Sequence, residues 1–166
     1  VWAWMAVMRI AEALAIGGVP FAPGAELDPT EEAARVVPLI AALRSGDGAG
    51  SSEASRRLIL SADTFQPAVA EAALAAGADV VNDTTGLFHA DLGRVVAAAG
   101  AHLVVTHSLA HVRGPRAVVP RPTYGDVVRE VRDHLRRTVD RAVALGVPEE
   151  RIIVDPGHDL NKNTRH

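Results

Sequence analysis

Four polar side chains stand where short apolar runs of this sequence end, and together they could bind a polar ligand. Asp63, Asn82 and Asp155 end three of these runs, and His107 ends a fourth. Carboxylates accept hydrogen bonds, an amide both donates and accepts them, and the charge of a histidine changes near neutral pH. One polar residue in such a place could be accidental, whereas one at the end of each successive run indicates a site.

The apolar runs are typical of buried parallel strands. They cover residues 58–64, 78–84, 101–107 and 151–155, a fifth lies near 14–18, and helix-like segments alternate with them. The carboxyl ends of parallel strands meet on one face. The pattern predicts an α/β fold that brings the four polar ends around one crevice. An open doubly wound sheet fits the rhythm as well, but polar ends on successive strands favour a closed barrel.

The segments between the runs carry helix signals. Asp28 is placed as an N-cap before Pro29, and acidic residues follow in the first turn, which predicts a helix that reaches Leu43. The other predicted helices cover 1–13, 67–76, 90–99 and 124–145, and the predicted loops cover 45–55 and 108–122. In the last helix a stripe is predicted to face the core: Val127, Val128, Val131, Leu135, Val139 and Val143.

Composition and charge exclude several classes of protein. The chain has a formal net charge of −3 and 48% apolar residues, which is ordinary for a globular domain. The small negative charge gives no reason to expect nucleic acid as a partner, and no apolar run reaches the roughly 18 residues that a membrane span needs. The absence of cysteine excludes disulfides and fits a reducing compartment. We therefore expect a cytoplasmic protein.

We predict a single domain over residues 1–166 and expect it to be part of a larger barrel. No break in composition divides the chain. A complete (β/α)8 TIM barrel takes about 250 residues. The sequence begins at Val1 and ends at His166, soon after a predicted strand, where a helix should follow. These features predict an incomplete (β/α)8 barrel that lacks the first and last strands.

Short motifs at the ends of the predicted strands form an ordered series. The series runs through Gly17-Gly18, Ala62-Asp63-Thr64, Val81-Asn82-Asp83, Thr106-His107 and Asp155-Pro156-Gly157, with Lys162 after the last. In order and spacing, from about residue 14 to residue 166, this series resembles the dihydropteroate synthase family of pterin-binding TIM barrels.

The resemblance implies a pterin pocket at the carboxyl ends of the strands. Asp63, Asn82 and Asp155 correspond to the family residues that recognise the pterin, and Asp63 would also stabilise positive charge on the exocyclic carbon of the pterin. Lys162 and His107 are expected to contact an anion or the second substrate. The polar edge of a pterin places N–H donors beside a carbonyl acceptor, which carboxylates and an amide can match.

The implied reaction joins p-aminobenzoate to a pterin methyl pyrophosphate in folate biosynthesis and releases pyrophosphate. The family uses Mg²⁺, whose asparagine ligand belongs to a first loop outside this chain, so no metal ligand is assigned to these residues. Family members are commonly dimeric, and the resemblance implies a homodimer for the full-length protein. Because further family residues fall outside the chain, the chain alone is expected to be inactive.

Two motifs depart from the family pattern. Where the family reads Gly-Gly-Glu-Ser-Thr-Arg-Pro-Gly, the arginine that helps to bind the anionic substrates is Ala22. Where it reads Asp-Pro-Gly-x-Gly-Phe-Gly-Lys, the aromatic residue is Leu160, and Asp159 and Asn161 replace the glycines. This split resembles the divergent second paralogue of actinobacteria. A non-catalytic pterin-binding homologue without the second-substrate site is therefore the alternative to the transferase.

Simpler structural roles are open for the three pterin-edge residues. Asp63 could cap the helix that begins at Pro67. Asn82 and the aspartate after it could form an Asx turn, and Asp155 could belong to a plain turn that ends at Gly157.

The remaining histidines and arginines give weaker signals. His107 and His111 have the i,i+4 spacing of some zinc sites, which leaves a metal-dependent hydrolase using Asp155 as a third hypothesis. Surface positions or solvated loops are predicted for the others: His89, His102, His134, His158, Arg113, Arg116 and Arg121.

Overall fold

The structure is a computed structural model that describes residues 13–19, 27–46, 57–109, 119 and 121–163. The predicted N-terminal helix therefore lies outside the described residues except for its last position, as does most of the predicted loops 45–55 and 108–122.

Five parallel strands form one sheet and confirm the predicted strands, each within two residues at either end. The strands are β1 (Ala13–Gly17), β2 (Ile59–Asp63), β3 (Val80–Asp83), β4 (His102–Thr106) and β5 (Ile152–Asp155). They lie side by side in chain order, and every neighbouring pair is parallel.

Four α-helices among the described residues connect the strands where the sequence predicts them. They are α1 (Pro29–Ser45), α2 (Pro67–Ala75), α3 (Ala90–Ala99) and α4 (Val127–Ala144), and a 3₁₀ turn (Glu149–Arg151) precedes β5. The predicted cap of α1 is present, since the Asp28 carboxylate accepts a hydrogen bond of 2.8 Å from the Thr30 amide. Hydrogen bonding by the Thr30 side chain and then by the Thr30 amide lowers the pKa of the Asp28 carboxyl.

All four helices pack on the same face of the sheet. Two core clusters fill the space between helices and strands, one under α1 and α2 and the other under α2, α3 and α4. The strand residues in these clusters are register partners from strand to strand, as Ala62, Val81 and Leu103 show. Side chains alternate between the faces of a strand, so the residues between them point to the face without helices.

Strand order and helix placement decide between the two predicted architectures. In a doubly wound sheet the strand order reverses and helices cover both faces. Here the order is consecutive and the helices lie on one side, as in a β/α barrel. The structure therefore confirms the predicted α/β class and is consistent with part of a barrel.

The predicted apolar stripe of α4 is partly wrong. Val131 is buried, but Val128 is 73% exposed and Val143 is 44% exposed. The helix instead buries Thr138 and Ala142 beside Val131. These three positions are seven and four residues apart and follow the 3.6-residue period, whereas the two exposed valines lie off that line.

Candidate functional site

The three pterin-edge residues lie on the helix-free face of the sheet, at its carboxyl end. Asp63 and Asn82 are register partners on β2 and β3. Asp155 ends β5, where its register partner is Thr106. In each strand the preceding residue points to the face that carries the helices. Because side chains alternate along a strand, Asp63, Asn82 and Asp155 point to the opposite face. The structure thus places all three predicted residues on one face of the sheet and at the carboxyl ends of its strands.

Asp63 does not cap the helix that follows it. The N-cap position of α2 is Gln66, whose side chain makes no capping hydrogen bond. The Gln66 amide instead donates to the Thr64 hydroxyl over 3.2 Å. Asp63 lies beside Gly17, where an added Cβ would be 3.3 Å from the Asp63 Cβ. The capping interpretation of Asp63 is therefore wrong.

Asp83, the residue after Asn82, has a structural role. Its Oδ1 accepts hydrogen bonds from the Thr85 amide at 2.8 Å and the Thr85 hydroxyl at 2.6 Å, and its Oδ2 accepts from the Leu87 amide. Burial raises the pKa of the Asp83 carboxyl, and these hydrogen bonds oppose the rise. Asp83 forms the predicted Asx turn, while half-buried Asn82 faces the opposite side of the sheet.

Asp155 takes part in the predicted turn with only one of its oxygens. Its Oδ1 accepts a hydrogen bond of 2.8 Å from the Gly157 amide. Its backbone carbonyl accepts from the His107 amide at 2.9 Å, which ties the turn to the end of β4. The turn does not use Oδ2.

Lys162 and His107 are brought together beside this turn. The Lys162 ammonium lies 2.9 Å from the Nδ1 of His107, a side chain that is 2% exposed. Burial lowers the pKa of Lys162 to about 8, and the charge of Asp155 partly opposes that change. Lys162 therefore carries a positive charge at neutral pH.

Two further rings contact His107, an arrangement that the sequence did not indicate. The His134 ring meets the His107 ring edge-on at 4.9 Å, and the Tyr124 ring lies 6.1 Å from it. His134 is half-buried, so its predicted surface position is wrong. The Tyr124 hydroxyl donates to the Asn161 carbonyl at 2.9 Å. Burial raises the pKa of the Tyr124 hydroxyl.

Thr106 lies beside the candidate site, and the sequence predicted no role for it. It is 1% exposed, and its hydroxyl makes no hydrogen bond in the structure. As the register partner of Asp155, it lies on the same face of the sheet. The signal that could have found it is its position, one residue before His107 at the end of an apolar run.

Other predicted positions bear less on the site. Ala22, His111, Arg113 and Arg116 lie outside the described residues. Arg121, His102 and His158 are exposed as predicted, whereas His89 is half-buried and stacks on the Phe65 ring at 5.7 Å. Among the described residues, no group of three or more His, Asp and Glu side chains could hold a metal ion.

Comparisons with known proteins identify the family of the chain. Residues 7–166 match the family described as "Pterin binding enzyme". A protein of Mycobacterium leprae named inactive dihydropteroate synthase 2 is 39% identical over 97% of this chain and 53% of its own length. A dihydropteroate synthase of the same organism is 38% identical over 91% of this chain and 50% of its own.

A solved structure shows the same fold. The Burkholderia cenocepacia dihydropteroate synthase complexed with 7,8-dihydropteroate matches with a TM-score of 0.75 and 39% identity. The match covers 92% of this chain and 51% of that one, and the chain spans about half the length of the two Mycobacterium leprae relatives. No described helix is both long enough and apolar enough to cross a membrane.

Proposed function

Because the chain belongs to the family of pterin binding enzymes, we propose that Asp63, Asn82 and Asp155 form a pterin site at the carboxyl end of its sheet. The observation that carries this proposal is that these residues lie on one face of the sheet, at the carboxyl ends of their strands. Two carboxylates and an amide match the alternating donors and acceptor of a pterin edge. Such a site rejects ligands that lack this edge, because its own polar groups would be left without partners.

The activity that we propose for the whole protein is that of a dihydropteroate synthase-like transferase. It would join p-aminobenzoate to a pterin methyl pyrophosphate and release pyrophosphate. The proteins that match this chain include dihydropteroate synthases, and the structure of one of them was solved with 7,8-dihydropteroate. As pyrophosphate leaves, positive charge develops on the exocyclic carbon of the pterin, and Asp63 would stabilise it.

A second candidate is a pterin-binding protein without synthase activity. A relative similar over nearly the whole chain is named inactive. The sequence also has Ala22 and Leu160 where the resemblance implies an arginine for the anionic substrates and an aromatic residue. Pterin binding is common to both candidates, which differ only in the second substrate.

The described residues do not supply a magnesium or zinc site. No group of three or more acidic or histidine side chains among them could hold a metal. The Nδ1 of His107 faces the Lys162 ammonium, which does not suit a metal ligand. We therefore assign no step to Mg²⁺ in this part of the chain, and the hydrolase hypothesis gains no support from the described residues. We further propose a homodimer in the cytoplasm, on the family resemblance and the absence of cysteine.

Two measurements on the protein at its natural length test these proposals. Calorimetry with 6-hydroxymethylpterin should show saturable binding, and its absence would reject the pterin site. A coupled assay for pyrophosphate release, with p-aminobenzoate and the pterin pyrophosphate, separates the two candidates. Release above the rate of a boiled control supports the transferase, and release at that rate supports the non-catalytic protein.

A substitution of Asp155 tests the site itself. Asp155→Asn keeps an oxygen for the Gly157 amide and removes the negative charge that would face the ligand. We expect the binding free energy of the pterin to weaken by about 1–3 kcal/mol, the range for a hydrogen bond to a charged group. Asp159→Asn is the matched control, because Asp159 is an exposed carboxylate of the same turn. Equal affinities for the two variants would contradict the assignment.

A further inference from the structure

We propose that Lys162 is a positioning residue, which holds the turn after β5 against His107 and thereby fixes Asp155 at the pterin site. This inference rests on the proposed function, because it concerns how the same site is kept in shape. It assigns Lys162 no contact with the anion of the substrate, the role that the sequence analysis expected.

The ammonium of Lys162 has an internal acceptor for each of its three hydrogens. It lies 2.8 Å from the Gly157 carbonyl oxygen, 3.0 Å from the Leu160 carbonyl oxygen and 2.9 Å from the Nδ1 of His107. An ammonium has three donors and no acceptor. A substrate anion could bind Lys162 only if one of these bonds were given up.

The contacts form a closed circuit that includes Asp155. Lys162 binds the Gly157 carbonyl, and the Gly157 amide donates to the Asp155 carboxylate at 2.8 Å. Lys162 also contacts His107, whose amide donates to the Asp155 carbonyl at 2.9 Å. Movement of the ammonium would therefore be transmitted to Asp155 from both sides of the turn.

The turn packs closely against the end of β4. Gly157 has a φ of 62°, and an added Cβ would lie 2.3 Å from the His107 carbonyl oxygen. Asn161 also has a left-handed φ, of 54°, which asparagine tolerates better than most residues. Its side-chain oxygen accepts from the Val119 amide at 2.7 Å. The segment is thus held against the chain that follows β4.

The choice of residue at this position fits a cage of three acceptors. The chain contains 16 arginines and a single lysine, Lys162. An arginine presents its donors in a flat fork, whereas an ammonium is compact and directs its three donors apart. Two carbonyls and one imidazole nitrogen converge on one atom here, a geometry that suits a compact ammonium better than a flat guanidinium.

The contact also fixes the state of His107. Because the ammonium can only donate, Nδ1 must accept, and the proton of the neutral imidazole lies on Nε2. Protonation of His107 would place two cations in contact. We call the contacts of Lys162 with His107, Gly157 and Leu160 the Lys162 clamp. This clamp needs a charged Lys162 and a neutral His107.

The test is a set of binding measurements on the protein at its natural length. Calorimetry would compare 6-hydroxymethylpterin with its pyrophosphate ester in Lys162→Met, Asp155→Asn and the double variant. We expect Lys162→Met to weaken both ligands by the same factor, about tenfold, which is within the range for coupled neighbours. The loss should disappear in the Asp155→Asn background. A larger loss for the ester, or a full loss in that background, would overturn the inference.

Lys162→Arg sharpens the comparison, because it keeps the charge and changes the geometry of the donors. We expect it to bind both ligands as weakly as Lys162→Met, whereas a residue that binds an anion would keep its affinity for the ester. Arg121→Met is the control for loss of positive charge alone, since Arg121 is exposed. It should leave the affinity for 6-hydroxymethylpterin unchanged.

Hydrogen exchange without ligand separates this inference from the proposed function. The Gly157 amide donates to Asp155 and the Leu160 amide donates to the Gly157 carbonyl at 2.9 Å. Both amides should exchange faster in Lys162→Met, and unchanged exchange would refute the clamp. If exchange changes but the wild-type protein binds no pterin, the proposed function fails and the clamp stands.

Discussion

Asn82 and Asp83 show how two neighbouring polar residues divide between ligand binding and structure. They are adjacent on β3 and therefore point to opposite faces of the sheet. Asp83 is completely buried and uses both carboxylate oxygens within the chain. Asn82 lies on the helix-free face with Asp63 as its register partner. The motif thus combines one residue for the site and one for the turn that follows it.

Alanine substitutions should separate the two roles. Asp83→Ala removes the acceptor of three buried donors, and we expect the free energy of unfolding to fall by about 2–4 kcal/mol. Asn82→Ala should change that free energy by under about 1 kcal/mol but weaken 6-hydroxymethylpterin by about tenfold, as expected for a lost hydrogen bond. Urea unfolding and calorimetry measure the two effects. An Asn82 variant that lost stability without losing affinity would contradict this division.

The pH dependence of binding should follow the charge of Lys162. The pKa of Lys162 is lowered to about 8, mainly by burial, while Asp155 favours the charged form. Above that pH the neutral amine keeps only two donors for three acceptors, so pterin affinity should fall. His107 contacts the ammonium directly, and the His134 and Tyr124 rings both contact the His107 ring.

Stability should respond to pH with the opposite sign. The pKa of Lys162 is lower in the folded chain than in the unfolded chain, where it is near 10.5. The unfolded state therefore binds more protons between pH 8 and pH 10.5, and this group raises the stability as the pH rises through that range. Titrations of affinity and of the melting temperature test both signs. The fall in affinity above pH 8 should be absent from Lys162→Met. Any pH dependence that remains in this variant comes from other groups, such as the ligand, and can be subtracted.

The residues of the site could be predicted from the sequence to different extents. The positions of Asp63, Asn82 and Asp155 could be predicted, because a residue at the end of a parallel strand has a fixed end of the sheet and a fixed face. The cage around Lys162 was not, because two of its acceptors are backbone carbonyls, which have no signature in the sequence. The same holds for His134, whose burial depends on contact with His107 across the fold.

At the level of elements, Arg44 joins the end of α1 to the amino ends of two strands. Its guanidinium donates to the Gly77 carbonyl at 2.7 and 2.9 Å and to the Asp79 carboxylate at 2.6 Å. Asp79 in turn accepts from the Leu60 amide at 2.9 Å. This cluster lies at the end of the sheet opposite the candidate site, so its function is structural.

Loss of Arg44 should destabilise the fold without affecting the ligand. We expect Arg44→Ala to lower the free energy of unfolding by about 1–2 kcal/mol, because the Asp79 charge and the Gly77 carbonyl lose their donor while both residues are partly exposed. Arg94→Ala is the matched control. Its ion pair with Asp91 is more exposed and should contribute under about 0.5 kcal/mol. Equal effects in chemical denaturation would rule out this role for Arg44.

The start of the last helix was predicted three residues too early. The predicted helix 124–145 begins at Val127, because the Asp126 side chain caps it by accepting from the Arg129 amide at 3.0 Å. The buried face of that helix was predicted less well. It includes Thr138, whose hydroxyl donates to the His134 carbonyl at 3.0 Å, so it is satisfied within the helix. A search for apolar residues alone passes over such a position.

At the scale of the whole molecule, the sheet has two outer strands, β1 and β5, among the described residues. On β5, Ile153 is 48% exposed and Val154 is 53% exposed. They point to opposite faces, so β5 presents apolar side chains on both sides together with the hydrogen-bonding groups of its outer edge. Such an edge is a template for pairing with another strand.

We expect the 166-residue chain, when produced alone, to self-associate through β5. Val154→Lys should reduce association, because a charge on an outer strand opposes pairing with a further strand. Val128→Lys is the control, since Val128 is even more exposed, at 73%, but lies on a helix whose backbone is already hydrogen-bonded. Light scattering against concentration should show a lower mass for the first variant only. An equal decrease in both would mean that apolar surface, and not the strand edge, drives the association.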